Sequence, residues 1–235
     1  MKKDSITNKY VAFCDILGFS DSVLNEIEQT LEIYKELKDT VKDVIGDDDV
    51  KVRVYSDSII IIGDELYPVI NTARTACWLC LLKDLIMRGG IAYGKYWEEK
   101  DGENLYIVSE GLIKAVQIEK TIKHPIIAIS DEIDLDYRYW LGRFSNDTAV
   151  RPIVNTSLLF YKDIALVNPV NAFWFNSAIG RLAQLSAKFP KHSGKYDWLL
   201  SLIESIDRDD LLVPQKIYDY LLNEKIVVIN QGSSD

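Results

Sequence analysis

Apolar and polar positions follow several distinct rhythms along this chain, and each rhythm predicts an element. Residues 9–16, KYVAFCDI, form a short apolar run of the length of one buried strand. After Ser20 the period lengthens. Leu24, Ile27, Leu31, Tyr34, Leu37, Val41 and Val44 recur at spacings of three and four, which predicts one long amphipathic helix capped by Ser20 or Asp21. IGDDDV then reads as a turn whose acids are solvated. VKVRVYSDSIIIIGDE alternates before the turn and is continuously apolar after it, so two strands are expected to reverse at Tyr55–Ser58. A second helix is expected from Pro68 to Met87, a strand over RGGIAYGKYW and a turn at EKDGEN. A third helix over SEGLIKAVQIEKTI, a strand at PIIAIS and a helix or turn from DEIDLDY follow.

This β-α-β-β-α-β order predicts an α+β, ferredoxin-like fold with additions. Beyond roughly residue 140 the pattern gives a loop-rich stretch and a strand near LLFYKDIALVNP. Amphipathic helices are expected near 170–189, 194–206 and 214–224, and the NQGSSD tail is expected to fray. Residues 1–135 read as a core and 136–235 as an extension packed on the same domain.

Composition narrows the function classes. Hydrophobic residues make up 48% and charged residues 27%, ordinary values for a soluble globular protein. No apolar run reaches the length of a membrane span, and the N-terminus lacks the apolar stretch of a signal peptide, so a cytoplasmic protein without a membrane partner is expected. The net charge of −9 argues against nucleic acid as a partner, since such binders carry a basic footprint. A phosphate-bearing small ligand remains compatible, provided a local Arg or Lys or a divalent cation overcomes the acidic background. Cys77 and Cys80 form a C-x-x-C within ARTACWLCLL, one helical turn apart on an apolar face. With Cys14 as the third cysteine and only two histidines, this reads as core packing in preference to a zinc or redox site.

Asp15 ends the first apolar strand and is followed at once by a glycine turn. In the expected topology that strand lies beside the hairpin that carries Asp57, so the two carboxylates converge. Two such groups repel unless a cation lies between them. Mg²⁺ or Mn²⁺, which take oxygen ligands and keep positions open for substrate phosphates, suit the pair. The backbone from Ile16 to Phe19 then offers carbonyl oxygens to a metal and N–H groups to phosphate.

Three stretches, in order and at compatible spacing over residues 9–131, resemble the class III nucleotidyl cyclases. FCDILGFS resembles the family's F-x-D-I-x-G-F block. YSDSIII resembles its G-D-S hairpin with Ser56 in place of glycine, and MRGGIAYG resembles its R-x-G-I-x-x-G strand. The resemblance implies that Asp15 and Asp57 bind two Mn²⁺ or Mg²⁺ ions per site, with the Ile16 carbonyl as a further ligand, and that Arg88 contacts the triphosphate. Phe19 falls in the phosphate-binding turn, Arg53 where members place a base-recognition residue, and Tyr106 at the second base-selecting position. Purine cyclases carry an Asn and an Arg on the following helix, and those positions are Ile113 and Gln117 here. The departure points to the divergent pyrimidine cyclases of the bacterial Pycsar antiphage system, in which an aromatic residue near the hairpin narrows the base pocket; Tyr55 is the candidate.

That branch implies conversion of UTP to cyclic UMP and pyrophosphate in a head-to-tail homodimer, with the product read by a separate effector. Arg53, a donor only, favours the uracil O4 acceptor. CTP as substrate and a catalytically silent nucleotide-binding or dimerisation domain are the alternatives. Lys114 is a candidate to replace the missing transition-state cation, and Tyr93, Lys95 and Tyr96 are further candidates to line the site. A diguanylate cyclase would want a G-G-[DE]-[DE]-F hairpin, which YSDSI is not.

Overall fold

The computed structural model describes residues 6–44, 50–133, 135, 157–161, 164–170 and 174–207. The expected helix at 214–224, the acidic turn at 46–49 and the NQGSSD tail lie outside the described residues, as do Asp134, Asp136 and Tyr137 of DEIDLDY.

Strand β1 (Thr7–Leu17) runs between β3 (Ser58–Gly63) and β4 (Ile86–Asp101), antiparallel to both. β2 (Val50–Tyr55) hairpins onto β3, β5 (Asn104–Ser109) onto β4, and β6 (Ile127–Ile129) lies parallel to β4. β7 (Leu158–Tyr161) and β8 (Ile164–Val167) form a hairpin that joins through β8 to β6, giving the order β2-β3-β1-β4-β6-β8-β7. The first four strands in the order β2-β3-β1-β4, all antiparallel, are the ferredoxin-like arrangement the sequence predicts, and the fold is α+β.

The helices are α1 (Phe19–Asn25), α2 (Ile27–Val44), α3 (Leu66–Leu82), α4 (Glu110–Thr121), α5 (Phe175–Lys188) and α6 (Ser193–Asp207). Strand alternation sends Ala12, Cys14 and Ile16 to one face of the sheet, where Ile59, Ile61 and Ile91 join them against Val69, Ile70, Ala73 and Ala76 of α3. On the other face α4 lies over β1 and β4, and glycine makes that approach possible. A Cβ on Gly90 would stand 2.7 Å from the Ile118 Cβ, and one on Gly94 would stand 2.8 Å from the Gly111 nitrogen. A second cluster packs Ile126, Ala128, Leu159 and Leu166 against Leu182 and Leu185 of α5 and Leu199, Leu202 and Ile203 of α6.

Arg74 of α3 fastens the extension to the core. Its guanidinium donates to the Asn168 carbonyl (2.9 Å), the Ser157 hydroxyl (3.2 Å) and the Val170 carbonyl (2.6 Å), and Arg74 is 8% exposed. Burial pulls its pKa down to about 10, so it stays charged at neutral pH. The three cysteines are free thiols, and Cys14 and Cys80 are wholly buried, with Cys77 packed against the same cluster. Burial pushes the thiol pKa of all three up, Cys77 to about 12, which suits packing and not redox work.

Four expectations are corrected. The predicted first helix is two, broken at Glu26 (φ −146°, ψ 63°), whose carbonyl is taken by the Thr30 hydroxyl at 2.8 Å. It starts on Gly18 in the left-handed region (φ 83°), ahead of the expected caps at Ser20 or Asp21, and that N-cap position makes no side-chain cap hydrogen bond. Leu24, Ile27 and Leu31, three of its periodic apolar positions, are exposed. The second helix stops at Leu82 instead of Met87: Asp84 turns left-handed (φ 64°) and the Leu85 N–H closes on the Cys80 carbonyl at 2.9 Å, freeing Ile86 and Met87 to begin β4. β5 was not anticipated, because Leu105, Tyr106 and Val108 are exposed and show no core-facing alternation. The strand expected near LLFYKDIALVNP is a hairpin of two.

Candidate functional site

The site forms where three strand ends meet. Asp15 stands opposite Ser58 on β3 and opposite Arg88 on β4, so the pairing registers bring Asp15, Asp57 and Arg88 to one end of the sheet. The Ile16 N–H donates to the Asp57 main-chain oxygen at 2.7 Å, which locks the hairpin tip onto the end of β1. The hairpin is a two-residue turn with φ 53° at Ser56, its first central residue. Turns of this kind favour glycine there, the residue the resembled motif carries. The Asp57 carboxylate accepts from the Ser20 hydroxyl (3.3 Å) and the Ser58 hydroxyl (3.5 Å).

Arg88 is held from two sides. Its Nη2 pairs with the Asp15 carboxylate at 3.4 Å and with Glu119 of α4, while its Nη1 donates to the Ile122 carbonyl at 3.5 Å. The Glu119 side chain is 7% exposed against 28% for Arg88, so the carboxylate anchors the guanidinium from beneath. Glu119 is a site residue that the sequence patterns do not single out, buried on α4 with Gly111 and Ala115.

Burial raises the Asp15 pKa, and the charges of Asp57 and Glu119 raise it further, opposed by Arg88 and by Lys195 of α6. A carboxylate crowded by two others is the arrangement a divalent cation relieves. Among the described residues no group of three or more His, Cys, Asp or Glu side chains converges on a common point as a metal cage. A cation would therefore rest on Asp15, Asp57, a main-chain oxygen such as that of Ile16, and ligand phosphate oxygens. Mg²⁺ and Mn²⁺ sites serving phosphate substrates are commonly built this way, so the donor set fits.

The other predicted residues fall into two groups. Phe19 and Tyr55 flank the site. The Phe19 side chain is buried against Tyr34, with ring centroids 5.7 Å apart, leaving only its main chain to a ligand, while Tyr55 is 80% exposed beside the hairpin tip. Arg53, Tyr106 and Lys114 are not brought to Asp15 within one chain. Arg53 pairs with Glu98 at 3.6 Å. Tyr106 pairs with Glu99, far along β4 from Arg88, at most ~36 Å away at strand rise. Lys114 is tied to Glu110 (3.0 Å) and Glu132 (2.7 Å) and lies about 140° around α4 from Glu119. Tyr96 is buried and donates to Glu98 at 2.6 Å, whereas Tyr93 and Lys95 are exposed on the same strand.

No helix among the described residues is long and apolar enough to cross a membrane. The chain matches no protein-family model, and no curated protein matches it. It is similar in structure to the adenylyl cyclase CyaB of P. aeruginosa (15% identity, TM-score 0.44, covering 55% of this chain and 79% of that one). It is also similar to the dimeric guanylyl cyclase domain of a rhodopsin fusion protein from Blastocladiella emersonii (17%, TM-score 0.44, covering 58% and 84%). An adenylate/guanylate cyclase/hydrolase from Silicibacter pomeroyi is a third (15%, TM-score 0.45, covering 70% and 98%). The structural neighbours of this α+β chain are thus adenylyl and guanylyl cyclase domains.

Proposed function

We propose that this protein is a nucleotide cyclase that converts UTP to 3′,5′-cyclic UMP and pyrophosphate, with residues 1–135 as catalytic core. The observation that carries the reading is the meeting of Asp15, Asp57 and Arg88 at one end of the sheet, two carboxylates with a guanidinium, on strands far apart in sequence. In the reaction the 3′-oxygen forms a bond to the α-phosphorus, the bond from that phosphorus to the β-bridging oxygen breaks, and the hydroxyl proton passes to solvent. Asp15, Asp57 and the Ile16 carbonyl would hold divalent cations, which would supply Lewis-acid activation of the 3′-hydroxyl and charge neutralisation at the phosphates. Arg88 binds the phosphates, with Glu119 keeping its guanidinium in place. The Leu17–Phe19 main chain forms the floor below them.

The protein works as a homodimer. Tyr55, Tyr106, Val108 and Ile113 are between 50% and 80% exposed on β2, β5 and α4, apolar side chains that a second copy would cover. A second copy brings Arg53, Tyr106 and Lys114 toward a site their own chain keeps them from. The preference for uracil follows from Arg53 as a donor, and Tyr55 closes the pocket on a small base. The antiphage role and the separate cyclic-nucleotide effector rest on the resemblance of the motif set. One observation favours a silent binding domain instead: Lys114, offered in place of the missing transition-state cation, is already spent on Glu110 and Glu132.

The test is incubation of purified protein with Mn²⁺ and each of ATP, GTP, CTP and UTP, with products resolved by mass. Cyclic UMP from UTP, lost in Asp57→Ala, is the expected result. Cyclic CMP alone moves the specificity to cytosine, and no cyclic product from any triphosphate overturns the cyclase reading.

A further inference from the structure

The extension approaches the site through α6. Two residues past the Ile122 carbonyl that accepts from Arg88, the His124 ring stacks on Trp198 of α6, with centroids 4.1 Å apart and planes within 8°. Lys195 precedes Trp198 by three residues, so it lies one turn back on the same side of α6, the side turned to the segment that holds Arg88. Tyr196 between them is 8% exposed and lines a cleft of about 480 Å³ whose wall also includes Leu17, Gly18 and Phe19, the turn directly after Asp15. Two aromatic anchors thus fix the first turns of α6 beside the segment that holds Arg88 and the turn that follows Asp15.

Lys195 also differs from its neighbours in what it does there. Lys83 pairs with Glu36, Lys188 with Asp84 and Lys114 with two glutamates. Lys195 is exposed and makes no hydrogen bond or ion pair with any described residue. Among the described residues Arg88 is the one cation paired with Asp15 or Glu119, so a polyphosphate arriving there needs further positive charge.

We propose that α6 supplies Lys195 as a phosphate-binding side chain of the nucleotide site, making the C-terminal extension one of its walls. The inference rests on the nucleotide-site reading above. It gives the extension a function in place of a purely structural one.

The experiment uses the full chain with Mn²⁺, comparing wild type, Lys195→Met and Lys195→Arg. Binding of UTP and of UMP is measured by calorimetry, and kcat and KM are measured wherever turnover occurs. The expected result is UTP binding about tenfold weaker in Lys195→Met, UMP binding changed by less than about twofold, and recovery in Lys195→Arg, with KM affected more than kcat. A structural role would weaken both ligands alike and show no arginine rescue. UTP affinity within about twofold of wild type in a Lys195→Met enzyme that still forms cyclic product overturns this inference and leaves the cyclase reading standing. Weaker UTP binding in Lys195→Met from a protein that forms no product supports Lys195 as a phosphate ligand and overturns the cyclase reading. Absence of triphosphate binding by the wild type overturns both.

Discussion

Replacing Arg74 with methionine tests how the extension is held. The substitution keeps most of the side-chain volume and removes every donor. The Ser157 hydroxyl retains Asn71 within reach at 3.4 Å, but the Asn168 and Val170 carbonyls, on residues 0% and 1% exposed, lose their guanidinium partners. Each hydrogen bond lost from a charged donor costs about 1.5–3 kcal/mol, roughly 3–6 kcal/mol for the two. Part is returned because methionine carries no charge to desolvate, an opposing contribution visible in the lowered pKa of Arg74. A net loss of about 2–4 kcal/mol remains, which for a chain of this size lowers Tm by roughly 5–15 °C. Circular-dichroism melts of wild type, Arg74→Met and Arg74→Lys at neutral pH measure it. A drop below ~2 °C in Arg74→Met would refute the claim that this guanidinium fastens the extension to the core.

Other outcomes follow from the same physics. Burial acts to raise the Glu98 pKa, but hydrogen bonds from Lys51 and Tyr96 and the charges of Lys51 and Arg53 outweigh it and hold the carboxyl below its ordinary 4.5. Its stabilising contribution is therefore complete above that value and is lost as pH falls through the depressed native one, so the stability gap between wild type and Glu98→Gln narrows below about pH 4.5 in urea titrations. Gly90→Ala drives a Cβ into α4 and costs about 1–3 kcal/mol by thermal melt, with loss of activity because Glu119 shifts with the helix. Ser56→Gly relieves the left-handed backbone at the hairpin tip and raises stability by up to ~1 kcal/mol in chemical denaturation, without loss of Mn²⁺ binding.

Much of the core was legible because one face of each central strand is buried. The apolar runs around Ala12–Cys14 and Ile59–Ile62 had to become adjacent strands, and adjacency alone carried Asp15 to Asp57. The glycines of RGGIAYG were legible as points of close approach, and α4 does rest on Gly90 and Gly94. Periodicity misled where the apolar face is uncovered in one chain: Leu24, Ile27 and Leu31 have helical spacing yet stay exposed, and β5 lacks any inward rhythm. Roles set by distant partners were invisible. Nothing local to Glu119 announces Arg88, and nothing in SGKYDWLL announces that Trp198 will stack on His124 and carry Lys195 toward the site. Arg53 is a further case, since nothing in VKVRVY announces Glu98 of β4 as its partner.

The most direct test of the account is Mn²⁺ titration of the wild type beside Asp15→Asn and Asp57→Asn, followed by electron paramagnetic resonance. If the two carboxylates share a cation, each single substitution weakens Mn²⁺ binding by about tenfold or more while the melting curve shows a folded protein. Equal affinity in all three proteins would contradict the site, because Asp15 and Asp57 would then be neighbours that hold no metal between them.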